Sequence, residues 1–529
     1  MPGSENKRFS ARFQVRMRPV HFRAYVEDKQ MTDHGKNISS PDVRFQAFAI
    51  AWALWTIARY VATTGQYIKQ GDMKWTYIMP AVMLSGLVIS RPSSMGRLAS
   101  LMLFTAIICL FDLPFKANQQ LLSLVVSMLV TFGMLYAVRN FGDGEMQRRH
   151  AFTQFAPSIR ICVIVVYSWA FIHKLNYDYF GDDGCAFFFY ELILEKYGLQ
   201  DLSNTFGDGI SRESFIFFLI SLVILLAEGS LAVLLVFQRT LRPALMMMLV
   251  LHVTFMVIPD RFVGSFSATM WAMAACFVPN SVWLSTRDFL RRLPISPRPP
   301  STWSWFGLSI LIGILLIAFA SGLPRLTRYA PLASTGLNIM LWTPVALMMF
   351  FIILKSQKSF WTTKGPRTRA YWIPSARRWT LVIPVLMFTC GLMLYTDIRN
   401  ETGFAMFSNM RSDPGRNNHF FIPRITVMND GNDQGVIVLE SDNERIKLFM
   451  NDGRRRYPSK LTWFELRRLI TLEQGDIAIT YQRDGEEVVT VTREMNPDDP
   501  LFQALGPIES RLRLFTTIPI SEEDCPCRH

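Results

Sequence analysis

The stretch Phe215-Ile-Phe-Phe-Leu-Ile-Ser-Leu-Val-Ile-Leu-Leu-Ala-Glu228-Gly-Ser-Leu-Ala-Val-Leu-Leu-Val-Phe237 is apolar throughout and carries a single charge. As a helix rising about 1.5 Å per residue it is long enough to cross a hydrocarbon layer roughly 30 Å thick. Backbone N–H and C=O groups find no water in such a layer, so a run of this kind satisfies them internally as a helix.

Comparable runs recur on both sides. They fall at about Phe45–Ala62, Trp75–Ser90, Leu98–Leu113, Leu121–Val138 and Ile159–Leu175 before the quoted stretch. After it come Pro243–Ile258, Phe266–Leu284, Trp303–Leu323, Leu337–Leu354 and Trp379–Tyr395. About eleven spans are therefore expected, and the composition agrees, with 50% hydrophobic and 18% charged residues. The fold class read from these runs is an all-α polytopic membrane helix bundle with a C-terminal extracytoplasmic α+β domain.

Orientation comes from the connections. Alternate ones are basic: the N-terminal arm (Arg8, Arg12, Arg16, Arg18, Arg23), Arg91 with Arg97, Arg139 through Arg160, Arg239 with Arg242, Arg287 through Arg298, and Lys355 through Arg378. The positive-inside rule puts all of these in the cytoplasm and everything after Tyr395 outside. The net charge of +13 is thus topogenic and does not point to nucleic acid. No cleavable signal is read in the polar first forty or so residues, so the first span is the expected targeting element. Asn37-Ile-Ser39 matches a glycosylation acceptor, but on the cytoplasmic side it has no meaning.

The expected organisation is a basic cytoplasmic arm (1–42), a first transmembrane domain (43–293), additional transmembrane helices (301–396) after the proline-rich linker Pro294–Pro300, and the outer domain (400–529). In the acidic connection from Asn176 to Arg212, the segment Ala186–Leu194 is apolar but too short to span, and it reads as an interfacial or re-entrant helix lidding the outer face. In the tail, strand-like runs Gly435–Leu439 and Glu487–Thr492 flank a helical stretch from Thr462 to Leu472. Of seven cysteines, Cys109, Cys162, Cys276 and Cys390 read as packing residues in apolar runs. Cys185 lies in a loop, and the spacing of Cys525 and Cys527 is too tight for an ordinary disulfide between the two.

Ionisable groups inside apolar runs are functional candidates because burying charge costs free energy. His173 and Lys174 end the fifth span, Glu228 sits mid-way through the sixth and His252 lies in the seventh. Two readings of Lys174 stand. Its amine snorkels into the headgroups, or it is held in a low-dielectric pocket where desolvation makes it a neutral base. His252 reads equally as an interhelical hydrogen bond, and Glu228 as the partner of a nearby Arg. No spacing suggests a metal site, a nucleotide loop or a hydrolase serine.

Taken together, Tyr167…Ala170-Phe-Ile-His-Lys174-Leu175-Asn176…Asp178-Tyr179, then Glu228, Arg239-Thr-Leu-Arg-Pro243, Leu251-His252 and Phe266-Ser267 resemble the horizontally transferred transmembrane (HTTM) domain shared with vitamin K-dependent gamma-carboxylase, over roughly Phe45 to Leu284. The segment Phe404-Ala-Met-Phe-Ser-Asn-Met-Arg411, leading to Arg416-Asn-Asn-His419, resembles bacterial members of that family. The resemblance implies that Lys174 deprotonates a reduced quinone such as vitamin K hydroquinone, assisted by His173 or His252. It also implies a membrane lipid environment, with a peptide or lipid substrate on the outer face, and a cofactor-binding region near Tyr167, Asn118 and Gln119. One departure stands out: where the carboxylase has an Asn-His pair, this chain has Asn118-Gln119, and Gln exchanges no proton near neutral pH. A non-catalytic membrane scaffold or lipid-binding protein that retains the fold is the competing reading. A transporter is disfavoured by the lack of repeat halves.

Overall fold

In the computed structural model, residues 42–69, 75–114, 117–142, 144–181, 184–199, 215–258, 261–292, 330–356, 378–400, 402–411, 417–427, 435–447, 459–473, 475–515, 517–520 and 527 are described. The basic arm, Asn37-Ile-Ser39, the Pro294–Pro300 linker, the span Trp303–Leu323, Arg416, Cys525 and most of the Lys355–Arg378 cluster lie outside them.

Helices appear where the apolar runs predict them. They are α1 (Arg44–Lys69), α2 (Trp75–Ser90), α3 (Met95–Phe111), α4 (Asn118–Asn140), α5 (Gly144–His173), α6 (Cys185–Tyr197), α7 (Phe215–Leu234), α8 (Leu241–Met256), α9 (Arg261–Ala274), α10 (Asn280–Arg292), α11 (Ala330–Lys355) and α12 (Val382–Leu392). Two differences from the sequence reading are physical. The helix ending at His173 begins at Gly144, well before the apolar run, so its basic first half extends the span; at about 1.5 Å per residue its 30 residues reach roughly 45 Å. The run Phe266–Leu284 is broken: α9 tightens into a 3-10 turn at Ala275–Phe277, Pro279 follows, and α10 restarts at Asn280.

Among the described residues, α4, α5 and α7 are long and apolar enough to cross a membrane, and shorter apolar helices accompany them. α7 shows the logic. Phe217, Ser221, Leu225, Glu228 and Leu231 form its buried stripe, at helical spacing. Its opposite face is equally apolar, with Phe215, Phe218, Leu219, Val223 and Leu226 exposed. The one charge of the run therefore faces the packed interior.

The helices share a core in which Trp52, Trp55, Phe48, Phe152 and Phe155 are fully buried. Gly229, beside Glu228, lets α7 approach α5: a Cβ there would lie 2.7 Å from the Phe171 ring. This close approach sets Glu228 opposite the end of α5.

The C-terminal part is a five-stranded antiparallel sheet, ordered β4-β3-β1-β2-β5, with β1 Gly435–Ser441, β2 Ser459–Thr462, β3 Ala478–Arg483, β4 Val488–Thr492 and β5 Ile518–Pro519. One helix, α13 (Trp463–Thr471), covers it, capped by the Thr462 side chain on the Glu465 amide. Val436, Val438, Leu461, Leu466, Ile470 and Ile479 form its own core. The segment from Asp397 joins this sheet to the helices: Asn400 N–H donates to Leu514 O at 3.4 Å, and the Arg513 guanidinium donates to the carbonyls of Asp397 and Ile398.

Candidate functional site

Side chains and backbone from several segments bond around the end of α5. A helix C-terminus leaves carbonyls without intrahelical partners, and here side chains supply them. Asn176 Nδ2 donates to His173 O at 2.7 Å and to Ser408 O at 2.5 Å. Its Oδ1 accepts from the Tyr179 amide at 2.9 Å and from Asn418 Nδ2 at 3.2 Å. His419 Nε2 donates to Ile172 O at 2.9 Å. Segments 402–411 and 417–422 are thereby fastened across the helix end, with Phe420 N–H on Leu175 O and Tyr177 N–H on Asn418 O.

Lys174 lies beneath segment 402–411. Its side chain is 3% exposed, its Nζ donates to Met406 O at 3.0 Å and stands 2.8 Å from Glu228 Oε2. Snorkelling is therefore excluded as the state of this amine: it is sealed in and paired with the buried acid of α7. The Tyr179 ring lies 5.9 Å from Nζ, and its hydroxyl donates to Ser221 O on α7 at 3.3 Å. Burial, and secondarily the charge of Glu228, hold the Tyr179 phenol well above its usual range.

His173, the neighbour of Lys174, faces elsewhere. Its Nε2 is 3.1 Å from Gly403 O, which can only accept, so Nε2 carries the hydrogen and Nδ1 accepts from Tyr395 Oη at 3.0 Å. Trp169 stacks on the imidazole with ring centroids 4.9 Å apart. His252 pairs with Tyr167 Oη at 2.7 Å and with Ser267 Oγ at 3.1 Å, a chain linking α5, α8 and α9. Both imidazoles thus have both nitrogens bonded within the protein.

Asn118 Oδ1 accepts from the Phe404 amide at 2.8 Å. Gln119 is buried in the first turn of α4, and its backbone carbonyl accepts the Ser123 hydroxyl, which in turn accepts from Arg59 Nη1 at 2.6 Å. Lys174, His173 and Asn118 therefore converge on one short piece of backbone, 403–406, through Met406 O, Gly403 O and Phe404 N. That piece is unusual: Thr402, Phe404, Phe407 and Asn409 have φ of 67°, 70°, 51° and 52°, a region that costs about 1–3 kcal/mol for a non-glycine residue and is tolerated where the surroundings over-determine it.

α6 covers the site from the side, extending the expected lid at both ends. Phe187 packs edge-on against Phe217 of α7 at 5.1 Å, Phe189 against Phe407 at 4.5 Å, and Tyr197 Oη donates to Val257 O at 2.9 Å. Its first residue, Cys185, forms a disulfide with Cys527, pinning the lid to the end of the tail. Asp178 and Arg411 add an ion pair at 3.0 Å.

Sequence reasoning named Lys174, Glu228, His173 and Asn118 separately. It did not find the ion pair, the role of Asn176 as a staple, Met406 O as the acceptor, or the Cys185–Cys527 bond. Asn176, Asp178 and His419 stand in the family-like strings, and the fold brings those strings together, with Asn176 bridging to His419 and Asp178 accepting from Asn418 at 2.8 Å. Comparisons with known proteins found no matching family model, no matching curated protein and no matching solved structure.

Proposed function

We propose that the chain is a multi-pass membrane protein of the HTTM type, with its C-terminal sheet outside, and that the Lys174–Glu228 pair is an acid–base site for a reduced quinone or quinol-like lipid. The multi-pass reading is supported by the apolar outward faces of α3, α4, α7 and α12, where Leu103, Phe111, Leu135, Val223, Val385 and Leu386 are exposed, a density that water-soluble surfaces do not carry. The outward placement of the tail is supported by the Cys185–Cys527 disulfide, since such bonds persist in oxidising compartments and join segments on one side.

The observation that carries the site reading is the buried ion pair. A lysine needed only for interfacial anchoring would extend toward water. Lys174 instead points inward to a carboxylate, and isolated from water such a pair can pass one proton between Nζ and Oε2, leaving a neutral amine beside a carboxylic acid. The neutral amine at Nζ can then accept a proton from an acidic hydroxyl, while Glu228 keeps the first. The surrounding groups, with the Tyr179 ring beside Nζ and the aromatic lid of α6, fit a flat, apolar phenol-bearing molecule. Bound there, a reduced quinone would supply the acidic hydroxyl and reducing electrons. The lid and the 402–411 segment exclude water from the exchange.

Efficient glutamate carboxylation is not part of the proposal, because Gln119 stands where the related carboxylase has a proton-exchanging histidine, and loss of one such group typically costs a factor of about 10² to 10⁴. The non-catalytic reading is favoured by one observation, the full engagement of Lys174 by Met406 O and Glu228. Two measurements test the proposal. Lipid extracted from the purified protein is expected to contain a quinone, and added vitamin K hydroquinone is expected to bind the native chain and not Lys174→Ala; equal binding by both would refute it. Labelled CO2 incorporation into a glutamate-rich peptide is expected to be near background for the native chain, and substantial incorporation would restore the full carboxylase mechanism.

A further inference from the structure

A cavity of about 530 Å³ lies between α1, α8, α9, α10 and α11, away from Lys174. Arg160 of α5 donates from Nε to Cys276 O at 2.7 Å, just beside the cavity wall at Ala275, so the cavity is about 20 Å along α5 from Lys174. Its volume is that of ordinary small-molecule sites, roughly 300–1,000 Å³. Two features set it apart from a packing defect. Trp271, Trp283 and Trp342 all line it, and none of their indole N–H groups has a hydrogen-bond partner among the described residues, although Trp271 and Trp342 are 7% and 3% exposed. Buried N–H groups are nearly always satisfied, so three orphans in one chamber indicate missing acceptors. Arg287 and Arg291, on successive turns of α10, stand at one edge. Arg287 touches the exposed Asp288 carboxylate at 3.4 Å, and Arg291 makes no ion pair among the described residues. No acidic residue lines the cavity.

We propose that this cavity binds an anionic glycerophospholipid. The two guanidiniums hold its phosphate, its ester carbonyls accept the hydrogen bonds that the indoles lack, and an acyl chain fills the apolar interior between Leu54 and Met349. An apolar chamber with a cationic rim matches an amphiphile whose head is negative. A zwitterionic lipid would bring a quaternary ammonium against the arginines along with its phosphate, and a free phosphate would leave the chamber empty. Because the arginines belong to a basic connection, the positive-inside reading puts the headgroup in the cytoplasmic leaflet, opposite the Lys174 site. The proposal does not rest on the quinol reading.

The test uses the full chain in nanodiscs of equal phosphatidylglycerol and phosphatidylcholine, followed by extraction into mild detergent and mass spectrometry of retained lipid. Native protein is expected to retain about one phosphatidylglycerol per chain, enriched about tenfold over phosphatidylcholine, a difference of about 1.4 kcal/mol. The variant R287Q/R291Q, altered only at the rim, is expected to lose the headgroup preference. W271F/W342F, which keeps an aromatic ring at each position but makes it smaller and removes two N–H groups, is expected to retain less of either lipid. Ala346→Phe, which fills the chamber from α11, is expected to abolish retention. Equal retention of both lipids by native protein would mean annular lipid only and overturn the proposal, as would unchanged retention in Ala346→Phe.

Discussion

The two sites of the helical layer treat polar groups in opposite ways. Around the end of α5, Lys174, Glu228, His173, Asn118, Asn176 and His419 are buried and bonded to one another or to the backbone of 402–411 and 417–422. Around Trp271, Trp283 and Trp342 the walls are apolar and the N–H groups are unmatched. In a low-dielectric interior an unpaired charge is far more costly than an unpaired indole. The charged site must therefore be completed by protein when no ligand is present, whereas the apolar one can wait for its acceptors. The first is a preorganised polar cluster and the second a receptacle.

The sharpest way to break this contrast is to unpair the charge. Lys174→Met leaves Glu228 buried without a partner, and removing one member of a buried pair costs about 3–5 kcal/mol. The double variant Lys174→Met/Glu228→Gln removes both charges and is expected to recover most of that stability. Thermal unfolding of the three proteins in the same detergent gives the comparison. A double variant no more stable than the single one would mean that the pair is not what completes the cluster.

A smaller effect is expected from the disulfide that holds the lid. Replacing both Cys185 and Cys527 by serine removes the tie between α6 and the tail while leaving the aromatic contacts of Phe187 and Phe189. Native disulfides are typically worth about 2–4 kcal/mol. Hydrogen exchange should rise in α6, whereas α8 and α11 around the tryptophan chamber should be unaffected. Faster exchange in both regions would show that the two sites are coupled through the lid.

How much of this was legible follows from sequence distance. The run Phe215–Phe237 announced a helix because its burial signal is local, and the positions of α1 to α4 and of α8 followed the same way. The start of α5 was not legible, since Arg148, Arg149 and Arg160 read as a connection; in the fold Arg160 finds Cys276 O and the helix continues past it. Lys174 and Glu228 were each conspicuous as lone charges, but their pairing depends on Gly229 and Phe171 letting α5 and α7 touch. Strands β2 and β5 are too short for periodicity to register. β3, with alternating burial in Ala478–Arg483, was readable and was passed over. The left-handed backbone at Thr402, Phe404, Phe407 and Asn409 has no sequence mark, because it is imposed by hydrogen bonds from helices more than two hundred residues away.

The mildest perturbation is protonation of one staple. His419 donates from Nε2 to Ile172 O, while its Nδ1 accepts from the Phe421 and Ile422 amides at 3.1 and 2.9 Å. Burial disfavours the cation, and a proton on Nδ1 would also set three N–H groups against one another. The bond to Ile172 O partly offsets this, and the net effect lowers the pKa of His419 below its ordinary value. The unfolded segment therefore binds more protons than the folded one as pH drops. The contribution of this staple is complete above the ordinary histidine value of about 6.5 and is lost as pH falls from there toward the lower folded value. Amide exchange at Phe421 and Ile422, corrected for its intrinsic pH dependence, is expected to quicken on acidification below that point, by at most about tenfold per pH unit for one proton. His419→Gln keeps an acceptor and a donor but does not titrate, so its corrected exchange should be flat over the same range. The tryptophan chamber, which has no histidine in its walls, should show no such dependence in either protein. A pH response that survives in His419→Gln would assign the effect to another group and remove the staple from the account of how 402–411 and 417–422 are held.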